Sequence, residues 1–176
     1  MPLITIVAGS PAPGSRTFLL ARYVGERLRR ADLAVETVDV RELDAEALLH
    51  GRADAPSIAA AADLVARSQA VVVTTPVYKA AYSGVIKTFL DVLPQLALAS
   101  KVVLPLAVGG SLAHVLAIDY ALRPVLSSMG AAHILPGLFI VDKQIERIPP
   151  DGFRMEDTIV ARLDALVDEL VAAVRI

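Results

Sequence analysis

The chain has 176 residues, 55% of them hydrophobic, a formal net charge of −2 and no cysteine. Disulfides, thiolate nucleophiles and zinc–thiolate centres are excluded, and the near-neutral, slightly acidic balance argues against nucleic acid or an anionic membrane as partner. One domain over residues 1–176 is expected, long enough to bury a sizeable core.

Residues 3–8 are a continuous apolar run ended by Gly9, the pattern of a buried strand. Phe18, Leu20, Ala21, Val24 and Leu28 then recur at helical spacing, with Arg22, Glu26 and Arg29 on the other face. Residues 34–40 alternate as a second strand, 43–57 are irregular and polar, and 58–66 read as helix. Residues 70–74 form a third, β-branched strand that stops at Pro76. Val85, Ile86, Phe89, Leu90 and Leu93 mark a helix ended by Pro94. The fourth strand is 102–108, closed by Gly109 and Gly110; Pro105 inside it suggests an edge or a bulge. Val115, Ile118, Leu122, Val125 and Leu126 mark the next helix. The fifth strand is split, near 132–135 and 138–141. Residues 144–155, with Pro149, Pro150, Asp151 and Gly152, read as a surface loop, and Ile159, Leu163, Leu166, Val167, Leu170 and Val174 as a final amphipathic helix.

Strands alternating with helices, the strands reading as buried, mean a doubly wound α/β fold. Five parallel strands fit the flavodoxin-like order 2-1-3-4-5. The N-terminal residues carry no basic n-region, their apolar run is too short for a signal peptide, and no stretch reaches the length of a membrane span, so a cytoplasmic protein is expected. His50, His114 and His133 lack metal-ligand spacing, and no metal is expected.

Ligands in such sheets bind outside the carboxyl ends of the strands. Three loops lie there. Residues 9–17 offer a helix N-terminus, the hydroxyls of Ser10, Ser15 and Thr17 and the charge of Arg16, which together suit a phosphate monoester. A capped Gly/Pro turn accounts for the same residues equally well. Neither G-x-x-x-x-G-K-[ST] nor G-x-G-x-x-G is present. Residues 76–79 (Pro76, Val77, Tyr78, Lys79), with Tyr82 beyond, could line a flat heterocycle; taken alone, each tyrosine reads better as packing. Gly110, Ser111 and His114 follow the fourth strand, where two glycines permit close approach of backbone to ligand; a lone histidine is more often structural. Together the loops describe a phosphate pocket beside a flat-ring pocket, which suits FMN.

These residues resemble the NADPH-dependent FMN reductases of two-component sulfonate monooxygenase systems. The resemblance covers nearly the whole chain. Its most specific stretches are residues 75–84 with Lys87 and Thr88, 101–107 with Gly109 and Gly110, and 119–126 (Asp119, Tyr120, Ala121, Leu122, Arg123, Pro124, Val125, Leu126). It implies hydride transfer from NADPH to FMN and release of reduced flavin to a partner flavin-dependent monooxygenase. The phosphate contacts fall on Ser10, Ser15, Arg16 and Thr17, and the ring contacts on Pro76, Val77, Tyr78, Lys79, Gly110, Ser111 and His114. Pro124, inside a helical pattern, cannot donate to the carbonyl of Tyr120, so a kink or π-bulge is expected there. The resemblance implies a π-helix around Tyr120 at a subunit contact of a homotetramer or homodimer; an ordinary kinked core helix is the alternative.

The expected chemistry belongs to the flavin, so no side chain is an obligatory catalyst. Arg16 and Lys79 are candidates for the NADPH 2′-phosphate. A competing reading is a reductase of the same fold that keeps its FMN and acts on quinones, azo compounds or metal oxyanions. A non-enzymatic flavodoxin-type carrier is disfavoured by the modest charge, and a receiver module by the absence of acidic residues after the first strand.

Overall fold

The computed structural model describes residues 1–149 and 152–175, so Pro150 and Asp151 of the 144–155 segment lie outside the described residues. The first half comprises β1 (Leu3–Ala8), α1 (Arg16–Arg30), β2 (Ala34–Asp39), the short α2 (Ala45–Leu49), α3 (Pro56–Arg67) and β3 (Ala70–Tyr78). Then come β4 (Ala81–Tyr82), α4 (Gly84–Val92), β5 (Val102–Gly109) and a π-helical segment, Ile118–Leu122, that runs into α5 (Arg123–Ser128). The chain ends with β6 (His133–Ile134), β7 (Leu138–Val141), β8 (Ile145–Ile148), β9 (Gly152–Met155) and α6 (Asp157–Val174).

The sheet runs β2-β1-β3-β5-β6, with β7 continuing beside β5. Taking β6 and β7 as halves of one strand, this is the 2-1-3-4-5 order of the flavodoxin-like fold, as the alternation of elements predicts. Successive side chains on a strand face opposite ways, and here both faces are covered, so the buried positions of β1, β3 and β5 are apolar except for Thr5, Thr74 and Thr75. On one face Ile4, Ile6, Val72 and Leu104 meet Leu20, Val24 and Leu28 of α1 and Leu163, Val167 and Leu170 of α6. On the other, Val7, Val71, Val73 and Val103 meet Ile58 and Val65 of α3, Phe89 of α4 and Leu126 of α5.

Pro105 does not mark an edge. It sits in central β5, paired with Val73 of β3. Its missing N–H coincides with the break in the fifth strand: β6 pairs Val102 and Val103, β7 resumes at Leu106, and the chain between them bends away. Gly137 makes that bend, at φ +82, with its backbone so close to Pro105 that a Cβ would lie 2.6 Å from the Pro105 carbonyl oxygen.

Four other expectations are corrected. The third strand does not stop at Pro76: its parallel ladder with β5 ends there, with Pro76 opposite Val108, but β3 continues to Tyr78 because Val77 and Tyr78 pair antiparallel with Tyr82 and Ala81 of β4. Residues 43–57 contain α2, capped by Asp44 accepting from the Ala47 amide at 2.9 Å. The segment read as a helix from Val115 is a short 3₁₀ turn, then π, then α, with Val115 exposed. Residues 144–155 are not simply a loop: β8 and β9 pair as an antiparallel hairpin, burying Ile145 and Met155.

Candidate functional site

Strands β1, β3 and β5 are neighbours, so the three loops that follow them meet at one carboxyl edge. In the first, Ser15 caps α1 by accepting from the Phe18 amide at 3.1 Å, and the buried Ser10 hydroxyl accepts from the Ala12 amide at 3.3 Å. Both hydroxyls act as acceptors there, so each O–H proton remains for an anion. Thr17 is buried in the first turn of α1, where the leading amides have no intrahelical acceptor. The Arg16 Nε donates to the Ile145 carbonyl at 2.8 Å, which anchors the β8–β9 hairpin over this loop. The capping leaves the leading amides of α1 at the loop, the general frame of an anion site.

The second loop is a two-residue hairpin rather than an open turn. Val77 and Tyr78 pair with Tyr82 and Ala81, and Lys79 and Ala80 both take positive φ, 51° and 65°. That is the type I′ geometry, which Asn-Gly suits far better than Lys-Ala. Pro76 is buried, Val77 half-buried, and Tyr78 and Lys79 exposed at the tip. Lys87, on α4, forms an i,i+4 pair with Asp91 at 2.6 Å, whose hydrogen bond holds the ammonium above its ordinary pKa.

In the third loop Gly110, Ser111 and His114 are exposed, and the Ser111 hydroxyl accepts from the Ala113 amide at 3.2 Å. Gly109 is required: a Cβ would lie 2.6 Å from the Phe139 ring. A cavity of about 390 Å³ lies between Ala80 of the hairpin tip, His114, and Leu116, Ala117, Tyr120 and Ala121 of the following segment. Tyr120 is 78% exposed, beside exposed Leu112, Val115 and Leu116. Pro124 stands in the first turn of α5, immediately after the π-helical turns, where the Arg123 amide donates to the Ile118 carbonyl five residues back.

Sequence reasoning missed Thr75 and Ser83. The Thr75 hydroxyl accepts from the Ser83 amide at 2.9 Å and donates to the Pro76 carbonyl at 2.9 Å. The Ser83 hydroxyl donates in a short bond to the Gly9 carbonyl and accepts from the Ile86 amide at 3.1 Å, capping α4. One buried side chain thus ties the first loop to the second. The Ser-Gly pair opening a helix is a readable cap; the bond to Gly9 has no sequence signal. Arg22 and Arg147, which line a groove beside Gly14, carry no such signal either. Among the described residues no cluster of His, Asp or Glu could hold a metal, and no helix is long and apolar enough to cross a membrane.

At this edge lie the hydroxyls and first-turn amides of the first loop, the Pro76–Lys79 segment and the Gly110–His114 turn. The profile of the NADPH-dependent FMN reductase family matches residues 2–146. Proteins named FMN reductase (NADPH) from Pseudomonas putida (strain KT2440) and Escherichia coli (strain K12) are each 47% identical, spanning 81% and 82% of this chain and 73% and 75% of their own. The apo crystal structure of an NADH:FMN oxidoreductase, EMOB, superposes with a TM-score of 0.89 at 40% identity, covering 98% of this chain and 90% of its own.

Proposed function

The chain belongs to the NADPH-dependent FMN reductase family, and from that membership we infer that it is an oxidoreductase that reduces FMN with NADPH or NADH. The observation that carries the reading is the convergence of the three loops at one edge, with Ser83 fastening the first to the second. Free hydroxyl protons on Ser10 and Ser15, the first-turn amides of α1 and the terminal nitrogens of Arg16 make a donor set that fits a phosphate monoester. FMN, when bound, supplies the ring that accepts hydride.

We assign the phosphate to Ser10, Ser15, Arg16 and Thr17. Pro76, Val77, Tyr78 and Lys79 wall one side of the ring, and Gly110, Ser111 and His114 the other. With flavin bound, donors from the third loop would meet the negative charge that develops on reduction. Position and desolvation are the protein's contribution; no side chain here moves an obligatory proton. We further assign reduced flavin to a partner flavin-dependent monooxygenase of the sulfonate type, the chain acting as a single cytoplasmic domain assembled as a homotetramer or homodimer, with Tyr120 and the π-helical segment at a subunit contact. The exposed apolar surface around Tyr120 supports the subunit contact.

Steady-state NADPH oxidation with varied free FMN tests both levels. Saturation in FMN, with reduced flavin recovered by a monooxygenase in a separate dialysis compartment, is the expected result. A rate independent of added FMN, with flavin co-purifying, would overturn release in favour of a reductase that retains its flavin. No oxidation of either dinucleotide would overturn the reductase reading.

A further inference from the structure

A second groove lies on the outer side of the first loop. It is a cavity of about 390 Å³ between Pro13, Gly14, Phe18 and Arg22 on one side and Arg147 and Ile148 of the β8–β9 hairpin on the other. Its walls are fixed without any ligand. Arg16 Nε holds Ile145 at 2.8 Å, and the Gln144 amide donates to the Glu156 carboxylate at 2.8 Å across the base of the hairpin.

The hairpin register decides which charges face the groove. Arg147 stands opposite Phe153, and Glu146 opposite Arg154. Directly opposed residues share a face and neighbours on a strand do not. Arg147 therefore lies on the face of Phe153, which packs toward α1 and α6, while Glu146 lies on the far face. The Arg22 guanidinium stacks on the Phe153 ring, 5.4 Å from its centroid. Arg147 thus stands on the same face of the hairpin as that ring, and the exposed apolar Ile148 also lines the groove.

This combination matches a flat heterocycle bearing a phosphate monoester: apolar and stacked surface for the base, a guanidinium fork for the dianion. The groove opens at the same edge as the three loops, because α1 begins at the carboxyl end of β1 and β8 follows the carboxyl end of β7. Resting on the reductase reading, we propose that the groove takes the adenosine 2′-phosphate end of NADPH, and that Arg147 is the residue that favours NADPH over NADH. Arg16, whose Nε is committed to Ile145, is then a flavin-phosphate and hairpin-anchoring residue rather than the 2′-phosphate contact.

The test compares KM for NADPH, NADH and FMN in wild type, R147A and R147E, with circular dichroism to verify folding. R147A raises KM for NADPH tenfold or more and R147E raises it further, while kcat and the KM values for NADH and FMN stay within twofold. A parallel change for both dinucleotides, or none for either, refutes the assignment. A rise confined to FMN refutes it too, since the groove would then hold the flavin's phosphate. Calorimetric binding of 2′,5′-ADP against 5′-AMP separates the two levels: R147A weakens only the former even if wild-type protein oxidised neither dinucleotide, the outcome that would sink the reductase reading alone. Equal affinity of wild-type protein for both nucleotides overturns the subsite.

Discussion

Replacing Ser83 by alanine removes one hydroxyl that serves two partners. The Ile86 amide loses its cap, and the buried Gly9 carbonyl loses its donor. A lost helix cap costs about 1 kcal/mol, and a buried acceptor left without a partner about 1–3 kcal/mol, for a sum of about 2–4 kcal/mol. In a domain of this size each kcal/mol lowers Tm by about 2–4 °C, so the melting point should fall by roughly 4–16 °C. Urea denaturation should show a lower midpoint at unchanged slope. The first loop, released from the head of α4, should also hold the flavin phosphate less well, so KM for FMN rises several-fold. A stability loss below about 0.5 kcal/mol, within the range of ordinary surface substitutions, would mean that Ser83 does not fasten the two loops.

Gly9→Ala places a Cβ 2.5 Å from the Ile86 Cβ; overpacking of this kind costs about 1–3 kcal/mol, and I86A should not rescue it, because alanine keeps the clashing atom. Thermal melts of the single and double variants check this. Ala80→Gly should raise Tm by roughly 1–4 °C, since the left-handed conformation costs a non-glycine residue about 1–2 kcal/mol and glycine's extra chain entropy returns about half of that; an unchanged or lower Tm counts against strain at the hairpin tip. Tyr23 is pushed up to about 12 by burial and by its hydrogen bond to Asp164 at 2.8 Å. The folded value lies above the unfolded 10.0, so this contribution to the α1–α6 contact is complete below pH 10 and fades as pH rises from 10 to 12. Ultraviolet titration should find one of the four tyrosines ionising late, and D164N should bring that ionisation earlier.

The sheet was legible because β1, β3 and β5 are almost wholly apolar and β2 alternates, each pattern readable as a strand. The three loops were legible because the strand order places them together. What the sequence hid depends on contacts between distant residues. Arg16 looks like a phosphate ligand, but its Nε bonds Ile145, 129 positions away, on a hairpin whose short strands carry Glu146, Arg147 and Arg154 and so lack a clear alternating stripe. Pro76 reads as a stop because it lacks an N–H, yet β3 runs on to Tyr78 because the β4 hairpin pairs Val77 and Tyr78 where the ladder with β5 ends. The positive φ of Lys79 and Ala80 is invisible in residues that rarely adopt it; closure of the β3–β4 hairpin imposes it.

The broken fifth strand has a consequence for how this protein behaves in a crowded solution. A chain so rich in valine, leucine and isoleucine risks recruiting other copies through any long, straight sheet margin. Here that margin offers only two residues in β6 and four in β7, with Pro136 and Gly137 bending the backbone between them. An incoming strand would find no continuous template to zip along. The break beside Pro105 thus denies this margin to an incoming strand, leaving β2 as the sheet's only continuous edge among the described residues.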